Sequence, residues 1–151
     1  MYPRRWRIPW PAVDITELGA LIASVDTIVV VGCSADPAKA AHSVPARMQQ
    51  AGFRLIPVNP RGGEILGEPV RRSLAEVDEP IEMVDVFRPS AQAAGVAREA
   101  AEAGARILWL QEGIVSAEAR SIAEAAGMAY VEDACLAVVR AANRIVKPGG
   151  R

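Results

Sequence analysis

The sequence has little cysteine, little histidine and no long apolar run. Its 151 residues include two cysteines, Cys33 and Cys135, and a single histidine, His42. Two cysteines do not form the disulfide framework of a small secreted protein, so a reducing, cytoplasmic environment is expected. Three scattered ligating side chains do not make a metal set, and no apolar run reaches the roughly 18 residues that a membrane span needs. We therefore expect no metal site and no membrane association.

The sequence also lacks an excess of charge of either sign. It contains 17 Lys and Arg against 18 Asp and Glu, a formal net charge of −1, so no basic surface points to nucleic acid. The length suits one domain with a sizeable core. We expect an N-terminal arm at 1–11, a single domain at 12–147 and a flexible tail at 148–151. Trp6 and Trp10 lie among prolines in the arm, which either packs on its own domain or joins two subunits of a homodimer.

An apolar stretch followed by a glycine turn is the most informative feature that is present. Residues 27–31 are mostly β-branched and suit a strand buried on both faces. Gly32 follows, and Ser43 and Pro45 are expected to cap and open a helix. A strand, a turn and a helix N-terminus together form an anion-binding geometry, so we expect a phosphorylated ligand here. A side chain at Gly32 is expected to occupy the space of that ligand.

The rest of the chain alternates between predicted strands and predicted helices. The further strands are expected at 53–58, 83–87, 106–110 and 128–131. Asp14 or Thr16 is expected to cap a helix that runs through Ser24, and Ser116 to cap a helix at 116–126. A capping box at 73–76 is expected to start a short helix. Further helices are expected at 43–51, 91–103 and 135–146. Such alternation is typical of right-handed βαβ units. We predict an α/β, Rossmann-like, doubly wound and mainly parallel five-stranded sheet with helices on both faces. Its ligand is expected outside the carboxyl ends of the strands, at the loops 32–39, 59–63, 87–90 and 111–115.

Two nucleotide-binding fingerprints are missing from these loops. The sequence contains neither Gly-x-Gly-x-x-Gly nor the Walker pattern, which disfavours NAD and excludes ATP hydrolysis by a P-loop. The second predicted strand ends in Val58-Asn59 instead of the Asp or Glu that holds an NAD ribose. Arg61 could meet a ribose phosphate instead, which fits NADP or the 3′-phosphate of coenzyme A.

Five short motifs resemble a known family. They are Gly32-Cys33-Ser34 with Lys39, and the segments 52–60, 85–89, 109–114 and 133–136. In this order and spacing they are similar to the small bacterial and archaeal CoA-binding proteins. The domain of those proteins resembles the N-terminal domain of the succinyl-CoA synthetase α subunit. The resemblance spans about residues 25–140.

The resemblance implies coenzyme A or an acyl-CoA as the ligand and a set of positions that bind it. The loop at 32–39 would wrap the pyrophosphate, and the loop at 59–63 would face the ribose phosphate. The loop at 87–90 would border the adenine or the pantetheine, and the loop at 111–115 would line the pantetheine path. The cofactor-binding residues implied in this way are Gly32, Cys33, Ser34, Ala35, Asp36, Pro37, Lys39, Asn59, Arg61, Phe87, Arg88, Pro89, Leu110, Gln111 and Glu112.

Three hypotheses about function are open at this point. The first is non-catalytic binding of CoA or an acyl-CoA by a stand-alone domain. The second is an NADP-linked or acyl-CoA ligase-type enzyme component that needs a partner chain, and the third is a ligand-sensing interaction module. His42 has no assignable carboxylate to activate it, so no catalytic residue is assigned. Cys33 is expected to be a small buried apolar residue, with a reactive thiolate as the alternative.

Overall fold

The computed structural model describes residues 14–151, so the expectations for the arm at 1–11 lie outside this part of the chain. The main strands are β1 (Thr27–Val31), β2 (Arg54–Val58), β5 (Met83–Val86), β6 (Ile107–Leu110) and β7 (Ala129–Val131), and a short hairpin is formed by β3 (Glu64–Ile65) and β4 (Glu68–Pro69). The main strands form one sheet in the order β2-β1-β5-β6-β7, with all neighbours parallel. The predicted Rossmann-like, doubly wound sheet is confirmed.

In the described part of the chain, five α-helices cover the two faces of the sheet. They are α1 (Ile15–Ala23), α2 (Ala40–Gln50), α3 (Ser90–Glu102), α4 (Ala117–Ala125) and α5 (Leu136–Ala142). Helices α1 and α2 both contact α5 on one face, whereas α3 and α4 pack together on the other. Among residues 14–151, no helix is long and apolar enough to cross a bilayer.

The central strand β1 explains why the sequence shows an unbroken apolar run there. Ile28 and Val30 belong to the buried cluster under α1, α2 and α5, and Val29 and Val31 belong to the cluster under α3 and α4. Both sets of side chains are removed from water, so no polar alternation is possible. Because strand order reverses between β1 and β5, the ligand crevice of such a sheet lies at the carboxyl ends of these two strands.

Two helix starts follow local capping rules as predicted. The Asp14 carboxylate accepts a hydrogen bond of 2.9 Å from the Glu17 N–H, and α1 begins at the next residue. The Ser116 hydroxyl accepts one of 3.0 Å from the Ala119 N–H at the start of α4. Each cap satisfies a backbone donor that would otherwise lack an intrahelical partner.

The start of α2 differs from the prediction. The helix begins at Ala40 instead of near Ser43, and Pro45 lies inside it. Proline has no N–H to donate to the carbonyl one turn earlier. That carbonyl, on Ala41, accepts a bond of 3.1 Å from the Ser34 N–H instead. The proline therefore leaves the helix intact and frees an acceptor that holds the loop after β1.

The β3-β4 hairpin was not predicted from the sequence. Its turn is Leu66-Gly67, and both residues have positive φ, +54° and +77°. Tight hairpin turns of this kind normally carry Asn-Gly or Asp-Gly, so the usual signal is missing. After the hairpin, the Arg71 N–H donates to the Pro57 carbonyl and the Asn59 N–H donates to the Arg71 carbonyl, each at 2.9 Å. The chain thus returns to the outer edge of β2.

The capping box expected at Ser73 is only partly formed. Residues Leu74–Glu76 make a single 3-10 turn, and the Ser73 side chain makes no capping hydrogen bond. The Glu76 carboxylate accepts from the backbone N–H of Arg72 at 2.7 Å instead of from that of Ser73. The carboxylate still satisfies a free donor at the start of the turn, one residue earlier than predicted.

Helix α5 is shorter than predicted and the C-terminal tail is bonded to the domain. The helix stops at Ala142, where the Asn143 amide reaches across to the Ile15 carbonyl at 3.0 Å. The tail was expected to be flexible from 148 onward. However, the Arg151 N–H donates to the Gln50 carbonyl at 2.7 Å and the Lys147 N–H to the Ala51 carbonyl at 2.8 Å. Both acceptors are carbonyls at the C-terminal end of α2 that lack an intrahelical donor.

Replacing Lys147 with Met is expected to destabilise the domain by about 1–2 kcal/mol. The Lys147 ammonium donates to the Ala23 carbonyl at the end of α1 at 2.8 Å, and its side chain is only 16% exposed. Methionine keeps the apolar stem and removes the charge. Urea unfolding measures the loss.

Asp26→Asn is the control for Lys147→Met. It removes only the ion pair of 3.2 Å to a carboxylate whose side chain is 81% exposed, so it should cost less than about 0.5 kcal/mol. Equal losses in the two variants would show that the ammonium does not cap α1.

Candidate functional site

The loops at the carboxyl edge of the sheet are joined by backbone hydrogen bonds that continue the strand pairing. The Gly32 N–H donates to the Val58 carbonyl at 3.0 Å, and the Phe87 N–H donates to the Val31 carbonyl at 2.8 Å. The exits of β1, β2 and β5 are therefore held together by main-chain atoms. This is the region where a ligand was expected from the strand order.

Gly32 is required at this position by the protein itself. Its φ is +87°, and a Cβ built on it would lie 2.9 Å from the Phe87 carbonyl oxygen. The sequence pattern predicts that a side chain here would occupy the space of a ligand, but the nearest obstacle is the neighbouring strand exit. A larger side chain here would push β1 and β5 apart, so it would not test ligand binding cleanly.

Short polar side chains shape the loop after β1. The Ser34 hydroxyl accepts from the Asp36 N–H at 3.1 Å, and the Asp36 carboxylate accepts from the Ala38 N–H at 3.0 Å. The Ser34 N–H is taken by the Ala41 carbonyl. Turns of this kind fold a loop back on itself without secondary structure. As a result Ala35, Asp36, Pro37 and Lys39 are exposed, whereas Cys33 is buried.

Several backbone donors of this loop and helix remain open. Among residues 14–151, no acceptor lies in hydrogen-bond range of the N–H groups of Ala35, Ala40 and Ala41. Ala40 and Ala41 form the first turn of α2, where the helix dipole is positive. Lys39 is the N-cap residue of that helix and is exposed. The loop therefore offers free N–H groups and one ammonium to an anion.

Asn59 connects the loop after β2 to the loop after β1. Its amide nitrogen donates to the Cys33 carbonyl at 2.9 Å, and its amide oxygen accepts from the Arg61 N–H at 2.7 Å. Both ends of the side chain are therefore engaged within the protein, whereas the family resemblance implies that Asn59 faces a ribose phosphate. Arg61 is exposed and does not line the neighbouring cleft.

A cleft of about 560 Å³ opens beside these loops, on the face covered by α3. Arg88 was expected near the ligand and lines this cleft, half-buried, whereas the exposed Pro89 does not. Sequence analysis did not identify the polar residues Arg72, Ser73 and Gln92. The complete lining is Val31, Val58, Pro60, Arg72, Ser73, Arg88, Ala91, Gln92, Gly95, Val96, Arg98 and Glu99.

The missed residues come from segments that only the tertiary fold brings to the cleft. Arg72 follows the unpredicted hairpin, and the residue before it, Arg71, pairs with Val58 at the end of β2. Gln92 lies one turn into α3, which starts beside the β5 exit. The one available signal was the Arg71-Arg72 pair directly before Ser73.

The loop after β6 is mainly structural. Leu110 is fully buried, and the buried Gln111 accepts a hydrogen bond of 3.0 Å from the Leu136 N–H, which caps α5. Trp109 is fully buried and donates its indole N–H to the Ala134 carbonyl at 2.8 Å, as expected for a core tryptophan. Of the residues expected to line a pantetheine path, Glu112 alone is exposed.

A buried acidic residue and a buried thiol lie below the site. Asp85 in β5 is 0% exposed, and its carboxylate oxygens have no hydrogen-bond partner within residues 14–151. Burial raises the pKa of Asp85 well above its usual range and so favours the neutral form of its carboxyl. Burial, and secondly the charge Asp85 would carry when ionised, raise the pKa of Cys33 to about 12. The thiol form therefore dominates, which argues against the thiolate alternative.

In the described part of the chain, no three His, Cys, Asp or Glu side chains are placed to hold a metal ion. His42 lies in the first turn of α2 and is half-buried. Both cysteines are free thiols.

Comparison with known proteins gives consistent matches. A family model described as a CoA binding domain matches residues 26–141. The uncharacterised protein YneT of Bacillus subtilis is 39% identical over 128 residues, which are 85% of this chain and 95% of that protein. A solved structure from Thermus thermophilus is 36% identical with a TM-score of 0.81, over 86% of this chain and 98% of that one.

A larger enzyme contains the same fold. The dinucleotide-forming acetyl-coenzyme A synthetase of Ca. Korarchaeum cryptofilum matches with a TM-score of 0.65 at 21% identity. The match covers 72% of this chain but 26% of the synthetase. The resemblance that the sequence motifs indicated is confirmed.

Gly32→Ala is expected to destabilise the domain more than Gly63→Ala. Both glycines have similar positive φ, +87° and +89°, but a Cβ at Gly63 would meet nothing within 4 Å. The backbone strain alone should cost about 1–2 kcal/mol at either site. Contact with the Phe87 carbonyl should add about 1–3 kcal/mol at Gly32. Thermal unfolding of the two variants compares these losses, and equal losses would refute the proposed contact.

Asp85→Asn is expected to remove a pH dependence of stability. The pKa of Asp85 in the folded state lies above its unfolded value of about 3.9. At pH values between these two pKa values, the folded state therefore binds more protons than the unfolded state. Parent stability should therefore fall as pH rises from about 4 towards the folded pKa, by up to about 1.4 kcal/mol per pH unit from this group. The variant should lack this slope in urea unfolding between pH 4 and 8. Parallel pH profiles would mean that Asp85 ionises normally in the fold.

Proposed function

Because this chain belongs to the family of CoA-binding domains, we propose that it binds coenzyme A or an acyl-CoA and performs no chemistry of its own. The observation that carries the proposal concerns the end of β2. A dinucleotide site holds a carboxylate there for the ribose hydroxyls, but this chain has Asn59, whose amide is bonded to the Cys33 carbonyl. The adjacent cleft is lined by guanidinium groups. That arrangement favours a ribose that carries a phosphate.

The arrangement of donors suggests an orientation for the ligand. The pyrophosphate would lie at the free N–H groups of Ala40 and Ala41, beside Lys39. The adenosine would enter the cleft next to Val31 and Arg88. The pantetheine would then run along the carboxyl edge towards Glu112. Residues Asn59, Leu110 and Gln111 would support this path through the backbone and through packing, because their side chains are engaged elsewhere.

The environments of the reactive side chains support binding without catalysis. The raised pKa of Cys33 leaves it a poor nucleophile near pH 7. Asp85 is buried without a hydrogen-bond partner in the described part of the chain, so no hydrogen-bonded side chain there relays its proton to a ligand. These two groups are the strongest candidates for covalent or acid–base chemistry close to the β1 exit.

A ligase component that needs a partner chain is the competing hypothesis. It is motivated by the fold shared with the acetyl-coenzyme A synthetase, of which this chain would represent one domain. Under that hypothesis the isolated chain still binds CoA. Acyl-CoA formation from CoA, an acid and a nucleotide would appear only with a second chain.

Calorimetric titration should show that CoA binds at least about 10-fold more tightly than NADH, a difference of about 1.4 kcal/mol. The expected preference follows from the missing carboxylate after β2 and the cationic cleft. Acetyl-CoA, titrated in parallel, tests whether the thiol end of the ligand contributes. Tighter binding of NADH than of CoA would overturn the assignment.

Lys39→Ala should weaken CoA binding by about 1–2 kcal/mol, as expected for the loss of one charge-assisted contact. The effect should shrink in high salt, because exposed charges are screened. Arg47→Ala is the matched control, since Arg47 is exposed on the last turn of the same helix, away from the loops. If both variants bind CoA like the parent, the phosphate does not lie at the start of α2.

A further inference from the structure

The side chains that line the cleft beside α3 carry more positive than negative charge. Its lining includes the guanidinium groups of Arg72, Arg88 and Arg98 and the single carboxylate of Glu99. Arg98 is paired with Glu118 at 3.1 Å. Within residues 14–151, no carboxylate oxygen lies within 4.0 Å of the guanidinium of Arg72 or of Arg88. Two uncompensated cations therefore face one cavity.

Arg72 is held in place at the exit of β2. Its Nη1 donates to the Pro60 carbonyl at 2.9 Å. Its Nη2 lies 2.9 Å from where a Cβ of Gly62 would be, so the planar group rests on a bare glycine backbone. A guanidinium has five N–H donors in a rigid fork. After Arg72 has donated to the Pro60 carbonyl, several N–H groups of its guanidinium are left for a ligand. Because the side chain is already held in place, it would lose little conformational entropy when a ligand binds.

Arg88 lines the same cleft from the exit of β5. It follows Phe87, whose N–H is fixed to the Val31 carbonyl at 2.8 Å, and it is half-buried. The two arginines are therefore mounted on the exits of β2 and β5, on either side of β1. In a sheet of this type the adenosine ribose lies at the β2 exit.

We propose that Arg72 and Arg88 together bind a phosphate group on the ribose of an adenine nucleotide, and that this phosphate decides which nucleotides bind. The inference rests on the proposed function, in which that group is the 3′-phosphate of CoA. The 2′-phosphate of NADP has the same chemistry. Two guanidinium forks suit the oxygens of a phosphate monoester, and neither can be satisfied by a ribose hydroxyl alone.

The test is calorimetric titration of the full chain with four ligands: CoA, 3′-dephospho-CoA, NADPH and NADH. In the parent, CoA should bind about 30-fold or more tightly than dephospho-CoA. Arg72→Gln, which keeps an amide donor for the Pro60 carbonyl, and Arg88→Ala should each reduce this ratio about 5- to 10-fold. They should weaken dephospho-CoA binding less than CoA binding, because dephospho-CoA lacks the phosphate that the two arginines would bind. Arg98→Ala is the control and should preserve the ratio, because that charge is already paired.

The possible results of these titrations distinguish a failure of this inference from a failure of the proposed function. Equal binding of CoA and dephospho-CoA overturns the inference and leaves CoA binding intact. A preference for NADPH over NADH without CoA binding supports the phosphate site and overturns the proposed function. If Arg72→Gln weakens CoA and dephospho-CoA equally, Arg72 acts by holding the Pro60 loop, and its role in phosphate recognition is refuted.

Discussion

The pairing of β1 with its two neighbours is the constraint on which the carboxyl edge depends. The pairing extends one residue past the strands, through the Gly32 N–H on one side and the Val31 carbonyl on the other. Because both neighbouring exits are held this close, residue 32 must take a left-handed φ and has no room for a Cβ. The backbone thus fixes the frame of the site, and the side chains mounted on that frame determine which ligand fits.

The parts of the fold that depend on local signals could be predicted, and those that depend on distant contacts could not. The apolar run of β1 and the caps at Asp14 and Ser116 are local and are confirmed. Pro45 indicates a helix start under local rules, yet it lies inside α2. Its missing donor is harmless there because the Ala41 carbonyl finds the Ser34 N–H in the preceding loop. No local pattern contains that contact.

The same distinction applies to the site. The rule that ligands lie at strand exits points to the loops at the carboxyl edge, since it depends only on the strand order. It could not tell which polar side chains point into the cleft. The amides of Asn59 and Gln111 bond to neighbouring backbone, whereas Arg72 reaches the cleft only because the hairpin returns the chain to β2. Polar residues in exit loops are as well suited to joining loops as to binding ligands.

The electrostatics of the edge are local, because the whole chain has a net charge of only −1. An ionised Asp85 would be the most damaging charge for a phosphate, since it would act through a medium that screens it little. Its burial without a partner in the described part of the chain raises its pKa and favours the protonated form. Asp36 and Glu112 are exposed, so water and salt reduce their effect. The field at the edge is therefore set by the start of α2 and by Lys39, Arg72 and Arg88, which all favour an anion.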